Sequence, residues 1–459
     1  MSTLVKCGTL FTGADLATIK NASVLIEDGL IKEVGPTEDM AKRHRSPAEV
    51  LDYSNYFVMP GLCDYHTHLA YGNAKTEEDI DLYASVEFRA LRGVFMARRM
   101  LNAGVTSMCD PGSPSRVCVA IRDAINAGMF DGPRITTAAA YLTGHQSLTD
   151  WYPTWIGQPQ TSIGHVVRNP AEAIEEIRSQ VKDGVDVVKI GLDGTYMHSL
   201  DAKGSGLVAA FDQEETTRMV REIQRLGRRA IVHARGREAV LYAARAGADV
   251  IFHASWIDDE GIEAALKNGC AVCPSLTLLV NTYEYSQPTD AASRGFVNWC
   301  KYECDIAFKN LEKAHKAGVP ILNGSETGFA MTPYGEWHAR ELEIMVRYLG
   351  LSAAEALRSA TMLTGAYMRD GGKTGTLSTG RNADLLVVDG NPLSDITQLL
   401  EARRIHRVIL GGRNMPVEER RAEPARISDF SQQYWSDLYT RDRVAELFPK
   451  APAAAVRAG

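Results

Sequence analysis

Two histidines spaced i and i+2, His66 and His68, end the run Val58-Met59-Pro60-Gly61-Leu62-Cys63-Asp64-Tyr65-His66-Thr67-His68. Side chains alternate faces along a strand, so this spacing points both imidazoles the same way and offers half of a metal site. The alternative is a pair of surface histidines on a loop. Further metal-type groups stand at the ends of other apolar runs: His233 closes Ala230-Ile231-Val232-His233, His253 closes Val250-Ile251-Phe252-His253, and Glu326 follows Leu322-Asn323-Gly324-Ser325. One histidine after an apolar run is commonly a satisfied core residue. Four of them ending three runs, with a carboxylate ending another, form a donor set suited to a divalent cation. Lys189, inside Val187-Val188-Lys189-Ile190, adds a charge where charge is costly. It either snorkels to an ion pair, or desolvation frees its amine to capture carbon dioxide as a carbamate. A carbamate bridging two metals would also supply negative charge that four neutral imidazoles and one carboxylate lack.

Something must bring these residues to one place. From Val58 onward, strands of four to eight residues alternate with amphipathic helices, which predicts a parallel sheet with crossovers. The expected strands are 58–66, 105–110, 134–139, 186–190, 229–233, 249–253, 271–274 and 319–324. Helices are expected over 76–103, 115–127, 171–183, 213–226, 237–246, 259–267, 295–317 and 334–348, with a last one over 352–368. Eight such units predict an α/β fold of the TIM (β/α)8 type, in which functional groups come from the C-terminal strand ends. Short strands at 4–11, 22–27 and 30–34, and again near 375–390 and 405–410, predict a small β-sandwich built from both termini. The expected division is 1–57 and 369–412 for the two sandwich halves, 58–368 for the barrel, and 413–459 for a C-terminal extension. That extension, carrying Trp435, Tyr439 and Phe448, is expected to pack on the body or on a partner subunit.

Composition narrows the function. At 459 residues the chain exceeds what one core holds. Its net charge of -7 offers no basic field to a polyanion, so no nucleic-acid partner is expected. No apolar run is long enough to span a bilayer. The N-terminus lacks the charged and apolar regions of an export signal, which predicts a cytoplasmic protein. The eight cysteines follow no framework, so Cys270 and Cys273, like Cys300 and Cys304, read as buried free thiols. A small-molecule substrate and a homo-oligomer are expected.

Pro60-Gly61-Leu62-x-Asp64-x-His66-x-His68, the strand-end lysine, the two later histidines and the split β-unit together resemble the amidohydrolase superfamily over residues 1–412. Asp186 to Ile190, Gly144-His145, Glu341 to Met345 and Glu355 to Thr361 look most like its imidazolonepropionase-like and Xaa-Pro dipeptidase branch, which includes enzymes similar to ochratoxin, molinate and phenylurea hydrolases. The resemblance implies that His66 and His68 bind one metal, that His233 and His253 bind the other, and that carboxylated Lys189 bridges them. Zinc is the expected ion, with manganese or cobalt as substitutes. The chain departs from the family at Glu326, where an Asp is usual; the extra methylene shifts the carboxylate by roughly one C–C bond length. Glu326 is then the expected general base, with or without binding metal, and His145 the expected contact to the substrate carbonyl. Trp151, Tyr152, Trp155, Tyr283, Tyr285 and Trp299 lie in segments near the mouth. They lean the substrate toward a bulky or aryl amide, urea or carbamate, with His198 and His338 in the pocket wall. The alternatives are an Xaa-Pro type dipeptidase, a mononuclear deaminase, which Lys189 speaks against, and a metal-free scaffold of the same fold.

Overall fold

Pro60-Gly61 divides what residue alternation reads as one strand. The computed structural model describes residues 2–194, 207–290, 294–416, 435 and 437–449. In it Glu49–Pro60 belongs to one sheet and Leu62–Asp64 to another. Proline ends a ladder because it has no N–H to donate. Gly61 is required because a Cβ there would lie 2.1 Å from Thr106 Oγ1. The boundary expected between residues 57 and 58 therefore falls inside a strand.

Strands from both ends of the chain share one seven-stranded sheet, in the order Arg413–Met415, Ile405–Leu410, Leu385–Val388, Glu49–Pro60, Ser2–Phe11, Thr18–Glu27, Leu30–Pro36. Its pairings are antiparallel except Ser2–Phe11 with Glu49–Pro60, which run parallel. A buried cluster including Val5, Leu10, Val24, Ile26, Val58, Leu385 and Ile409 shows the joint core.

The α/β part forms two parallel ladders. One is Leu62–Asp64, Val105–Asp110, Arg134–Thr137; the other runs Ala271–Cys273, Val250–His253, Arg229–Ala234, Val187–Gly191, Tyr141–Thr143, Gly164–Val166. Single backbone hydrogen bonds link them: Asp186 N donates to Thr137 O at 2.8 Å and Tyr65 N to Asn323 O at 2.8 Å. The strand expected at 319–324 is reduced to the Val272–Ile321 bridge. Helices over Pro170–Lys182, Gln213–Arg225, Arg237–Ala246 and Asp259–Asn268 fall where periodicity places them. The segment expected as one helix over 76–103 is two, Glu77–Asp81 and Val86–Asn102, with Ser85 capping the second. The helix expected from 334 begins only at Arg340. The helix expected over 352–368 changes to a π-turn at Ser359–Leu363. Thr277–Tyr285 is a helix that period reading missed, because it is apolar on nearly every side.

Side chains facing inward from the ladders, among them Cys63, Val187, Ile231, Val250, Phe252 and Cys273, form a core beneath the C-terminal strand ends. The extension folds back on the same body: Trp435, Tyr439 and Val444 are buried with Leu278, Ala330, Met331 and Trp337. All eight cysteines are buried and free of disulfides. Among the described residues no helix is long and apolar enough to cross a membrane.

Candidate metal centre

His66 and His68 do not lie in a strand. The strand Leu62–Asp64 stops before them, and both histidines sit on the turn after it, where Thr67 bridges to Thr327. Their common direction therefore comes from tertiary hydrogen bonds, not from strand alternation: Glu326 N donates to His66 O at 2.6 Å, and His68 N to Thr327 O at 2.9 Å. Lys189 and His233 do follow alternation, since Val187 and Lys189 share one face of their strand and Ile231 and His233 one face of theirs. His253 breaks the parity, because Phe252 already points into the barrel core. A left-handed backbone at His253 (φ 70°) and Ala254 (φ 51°) ends the strand there. Such conformations cost of order 1–3 kcal/mol in non-glycine residues and persist where the surroundings over-determine them. Glu326 also has a positive φ, 53°.

The four imidazoles form a chain of ring contacts, His68 to His66 at 5.1 Å, His66 to His253 at 5.3 Å and His253 to His233 at 4.7 Å between centroids. Side-chain donor atoms of His66, His253 and Glu326 all lie within 4.8 Å of one another. One nitrogen is anchored on two of the rings: His66 Nδ1 lies 2.7 Å from Ser275 Oγ, and His68 Nδ1 lies 3.1 Å from Gly112 O. His66 Nε2, His233 Nε2, His253 Nδ1 and Glu326 Oε2 are buried without a hydrogen-bond partner. A buried polar atom left unsatisfied costs about 1–3 kcal/mol, so several in one place call for a missing partner. Nitrogen and carboxylate donors with their lone pairs unused are what a divalent cation takes, and the residues fit one.

Burial sets the electrostatics. It holds all four imidazoles well below their usual pKa, and the nearby charges of Lys189 and Arg235 push in the same direction. Neutral imidazole is the form that binds metal. Burial also lowers Lys189, against the attraction of Glu326 and Asp110, and raises Glu326, against Arg235 and Lys189. Lys189 Nζ lies 4.9 Å from the Tyr141 ring centroid and 5.0 Å from that of Phe252; the ring faces attract the ammonium, so burial, not the rings, favours loss of its proton.

Not every expected residue joins this group. His145 is on an exposed loop, its side chain 57% accessible and 3.3 Å from Asp150 Oδ2. His198 lies outside the described residues. His338 is buried and holds Asp64 Oδ2 at 2.9 Å, so it backs the centre and does not line a pocket. Trp155 is 85% exposed, and Trp151 packs on a buried cluster that includes Tyr71, Ile80, Tyr141, Leu148 and Ile163. The aromatic rings at the centre are instead Tyr71, stacked on His68 at 4.1 Å, and the Tyr141 and Phe252 rings beside Lys189. Sequence reading also missed Arg235, whose guanidinium bonds Glu303 at 2.5 Å and lies 3.5 Å from His253 Nε2 and 3.9 Å from Glu326 Oε1. Arg235 stands two residues after His233, the same spacing that singles out His66 and His68. Asp193, 3.4 Å from His233 Nε2, carried no comparable signal.

The amidohydrolase family model matches residues 57–415. Ochratoxinase of Aspergillus niger is 28% identical over 444 aligned residues, which cover 90% of this chain and 86% of that protein. A crystal structure of a Xaa-Pro dipeptidase with methionine bound in its active site superposes with a TM-score of 0.78 at 26% identity, covering 90% of this chain and 100% of that one. Molinate hydrolase, at 22% identity, shares the fold with a TM-score of 0.74 over 91% of this chain and 95% of its own. These neighbours imply a TIM barrel with a small second domain, in keeping with the two parallel ladders and the seven-stranded sheet. With the family model matching residues 57–415, more than half of its length, the chain belongs to the amidohydrolase family and is an enzyme that hydrolyses carbon–nitrogen bonds.

Proposed function

We propose that the chain is a metal-dependent hydrolase that cleaves the C–N bond of a bulky or aryl amide, urea or carbamate, of the phenylurea, aryl amide or N-acyl amino acid type. His66, His68, His233, His253 and a carbamate on Lys189 hold two divalent ions, zinc by preference, in a closed barrel flanked by a β-sandwich, and the enzyme works as a homo-oligomer. The observation that carries the reading is the set of buried, unpartnered donor atoms on His66, His233, His253 and Glu326. When bound, the metal supplies Lewis-acid polarisation of the substrate carbonyl and makes water acidic enough to react near neutral pH.

The chain's own residues do the rest. Glu326 takes the proton of the attacking water and returns it to the departing amine. A carboxylate held this close to the donor atoms can take up a proton and give it back, so the same group serves in both directions. Tyr71, Tyr141 and Phe252 exclude water around the donors. His145, at the exposed rim, contacts the substrate. A second reading, cleavage of an Xaa-Pro dipeptide, is favoured by the likeness to the dipeptidase structure.

Purified protein is assayed for metal by elemental analysis and for amine release from N-acyl amino acids, aryl amides, phenylureas and Xaa-Pro dipeptides. The expected result is at least one divalent ion per chain and turnover of one of these classes. The variant Glu326→Gln is expected to keep its metal and lose about 10²- to 10⁴-fold in kcat, the usual worth of a general base. A near-normal rate in that variant removes Glu326 as the base. Less than about one ion per chain, with no gain on adding zinc, manganese or cobalt, overturns the metal-dependent reading.

A further inference from the structure

The loop that follows Glu326 supports both turn histidines, and its far side is held by the C-terminal arm. Thr327 O accepts from His68 N at 2.9 Å, and the Tyr334 hydroxyl donates to His68 O. Thr332 Oγ1 donates to Glu326 O at 2.9 Å. Ser325 N and Oγ donate to Asp64 at 3.0 and 2.5 Å, and the same carboxylate accepts from His66 N at 3.1 Å. His338 completes this array. Its Nε2 accepts from Gly335 N at 3.1 Å, so its proton is on Nδ1, where it donates to Asp64 Oδ2 at 2.9 Å.

The arm grips that loop from outside. Tyr439 N donates to Ala330 O at 3.1 Å, and Trp337 Nε1 donates to Tyr439 O at 2.7 Å. Arg441 Nε reaches Glu336 Oε2 at 3.2 Å, and the Tyr439 hydroxyl bonds Asp290. Trp435, Tyr439 and Val444 bury apolar surface on Ala330, Met331 and Trp337. Trp337 is thus adjacent in sequence to His338, so the arm's hold on one residue fixes the backbone of the next. Two backbone hydrogen-bonding groups of a single arm residue clasp the loop at positions seven residues apart.

We propose that the C-terminal arm is a strap that positions the 326–338 loop, with Tyr439 and Trp337 as its clasp and His338 as the positioning residue that transmits it through Asp64 to Glu326 and His66. The inference rests on the reading of Glu326 as the base. The inner side of this loop is tied to the segment after the first strand, Ala74 N donating to Gly328 O at 2.8 Å and Ala330 N to Ala74 O at 2.9 Å, and the arm restrains the outer side, removing the freedom that is left before substrate arrives.

The test uses the full-length enzyme, its Trp337→Phe variant, which keeps a ring but loses the indole donor, and a chain ending at Pro416. Two quantities are read: hydrogen–deuterium exchange of peptides covering 326–338, and kcat and KM for N-benzoyl-L-phenylalanine. The strap requires exchange in 326–338 to rise at least about tenfold in both altered chains, with exchange in the Val187–Gly191 strand unchanged. It also requires kcat to fall at least about tenfold in Trp337→Phe while KM stays within about twofold. Unchanged exchange in the loop overturns the proposal, and so does faster exchange with kcat intact, which would make the arm a purely structural contact. If the truncated chain does not fold, Trp337→Phe decides alone. Failure of the base reading shows separately, as a near-normal rate in Glu326→Gln with the arm untouched, and the exchange measurement needs no substrate.

Discussion

At the scale of single residues, the centre concentrates four imidazoles that folding holds neutral. Each has a native pKa well below 6.5 through burial, while in the unfolded chain it takes up a proton near 6.5. On these four groups the unfolded state binds more protons below that pH, so their contribution to stability falls as pH drops beneath about 6.5, each by up to about 1.4 kcal/mol per pH unit. The buried carboxyls of Asp193, Glu326 and Glu341, raised to about 7, contribute in the opposite sense over the same range. Metal-free His253→Gln, prepared with a chelator, is therefore expected to lose less urea resistance between pH 6.5 and 5 than the metal-free parent. An equal loss in both would mean that the His253 ring is hydrated and outside any closed site.

At the scale of elements, the decisive contacts are where the eighth element passes the end of the first. A Cβ on Gly324 would stand 2.4 Å from Cys273 Sγ, 2.7 Å from His66 Cβ and 3.1 Å from Ser275 Oγ. Gly324→Ala must push either the sulfur or His66 aside, and overpacking of this kind costs about 1–3 kcal/mol. Denaturant unfolding should show that loss, together with a lower kcat, because His66 Nδ1 is held by the same Ser275. Adding Cys273→Ala should recover only part of the stability, since His66 Cβ remains in the way. Full recovery of both quantities would show that the element crossing does not set the position of His66.

For the whole molecule, the question is how the terminal sheet is fastened to the parallel ladders. Asp384, in the turn before Leu385–Val388, accepts from Arg134 Nε at 2.8 Å and Nη2 at 3.1 Å, and from Gly411 N at 2.7 Å. Its carbonyl accepts from Gly61 N at 3.1 Å, at the break between the two sheets. Asp384 thus joins Gly61 through its backbone, and its buried carboxylate joins the Arg134–Thr137 strand to the C-terminal hairpin. Removing one partner of a buried pair costs several kcal/mol, but the Arg134 side chain is 36% exposed and water takes up part of the loss. Asp384→Ala is expected to lower the unfolding free energy by about 1–3 kcal/mol while leaving the metal content unchanged. A change below about 0.5 kcal/mol would mean that the sheet is held by its apolar core alone.

The sequence by itself determined the kind of molecule and most of the chemistry. Alternating strand and helix periods placed the α/β units, and short apolar runs interrupted by His233, His253 and Lys189 singled those residues out, because an apolar run and the polar residue that breaks it are local properties. Strand signals at both ends of the chain predicted a small β-sandwich built from both termini; the structure contains one seven-stranded sheet, in which Glu49–Pro60 pairs with Ser2–Phe11 and Leu385–Val388. Only the tertiary structure decided what depends on contacts between distant segments. His66 and His68 converge through bonds to residues 326 and 327, since their strand has already ended. His253 stands at a positive φ that residue alternation does not encode. Arg235, Asp193 and His338 enter the centre through neighbours far away in the chain, and His145, placed at the mouth by position in sequence, turns to Asp150 at the surface. The C-terminal arm, unreadable as a charged tail, acquires its meaning from the loop on which it closes.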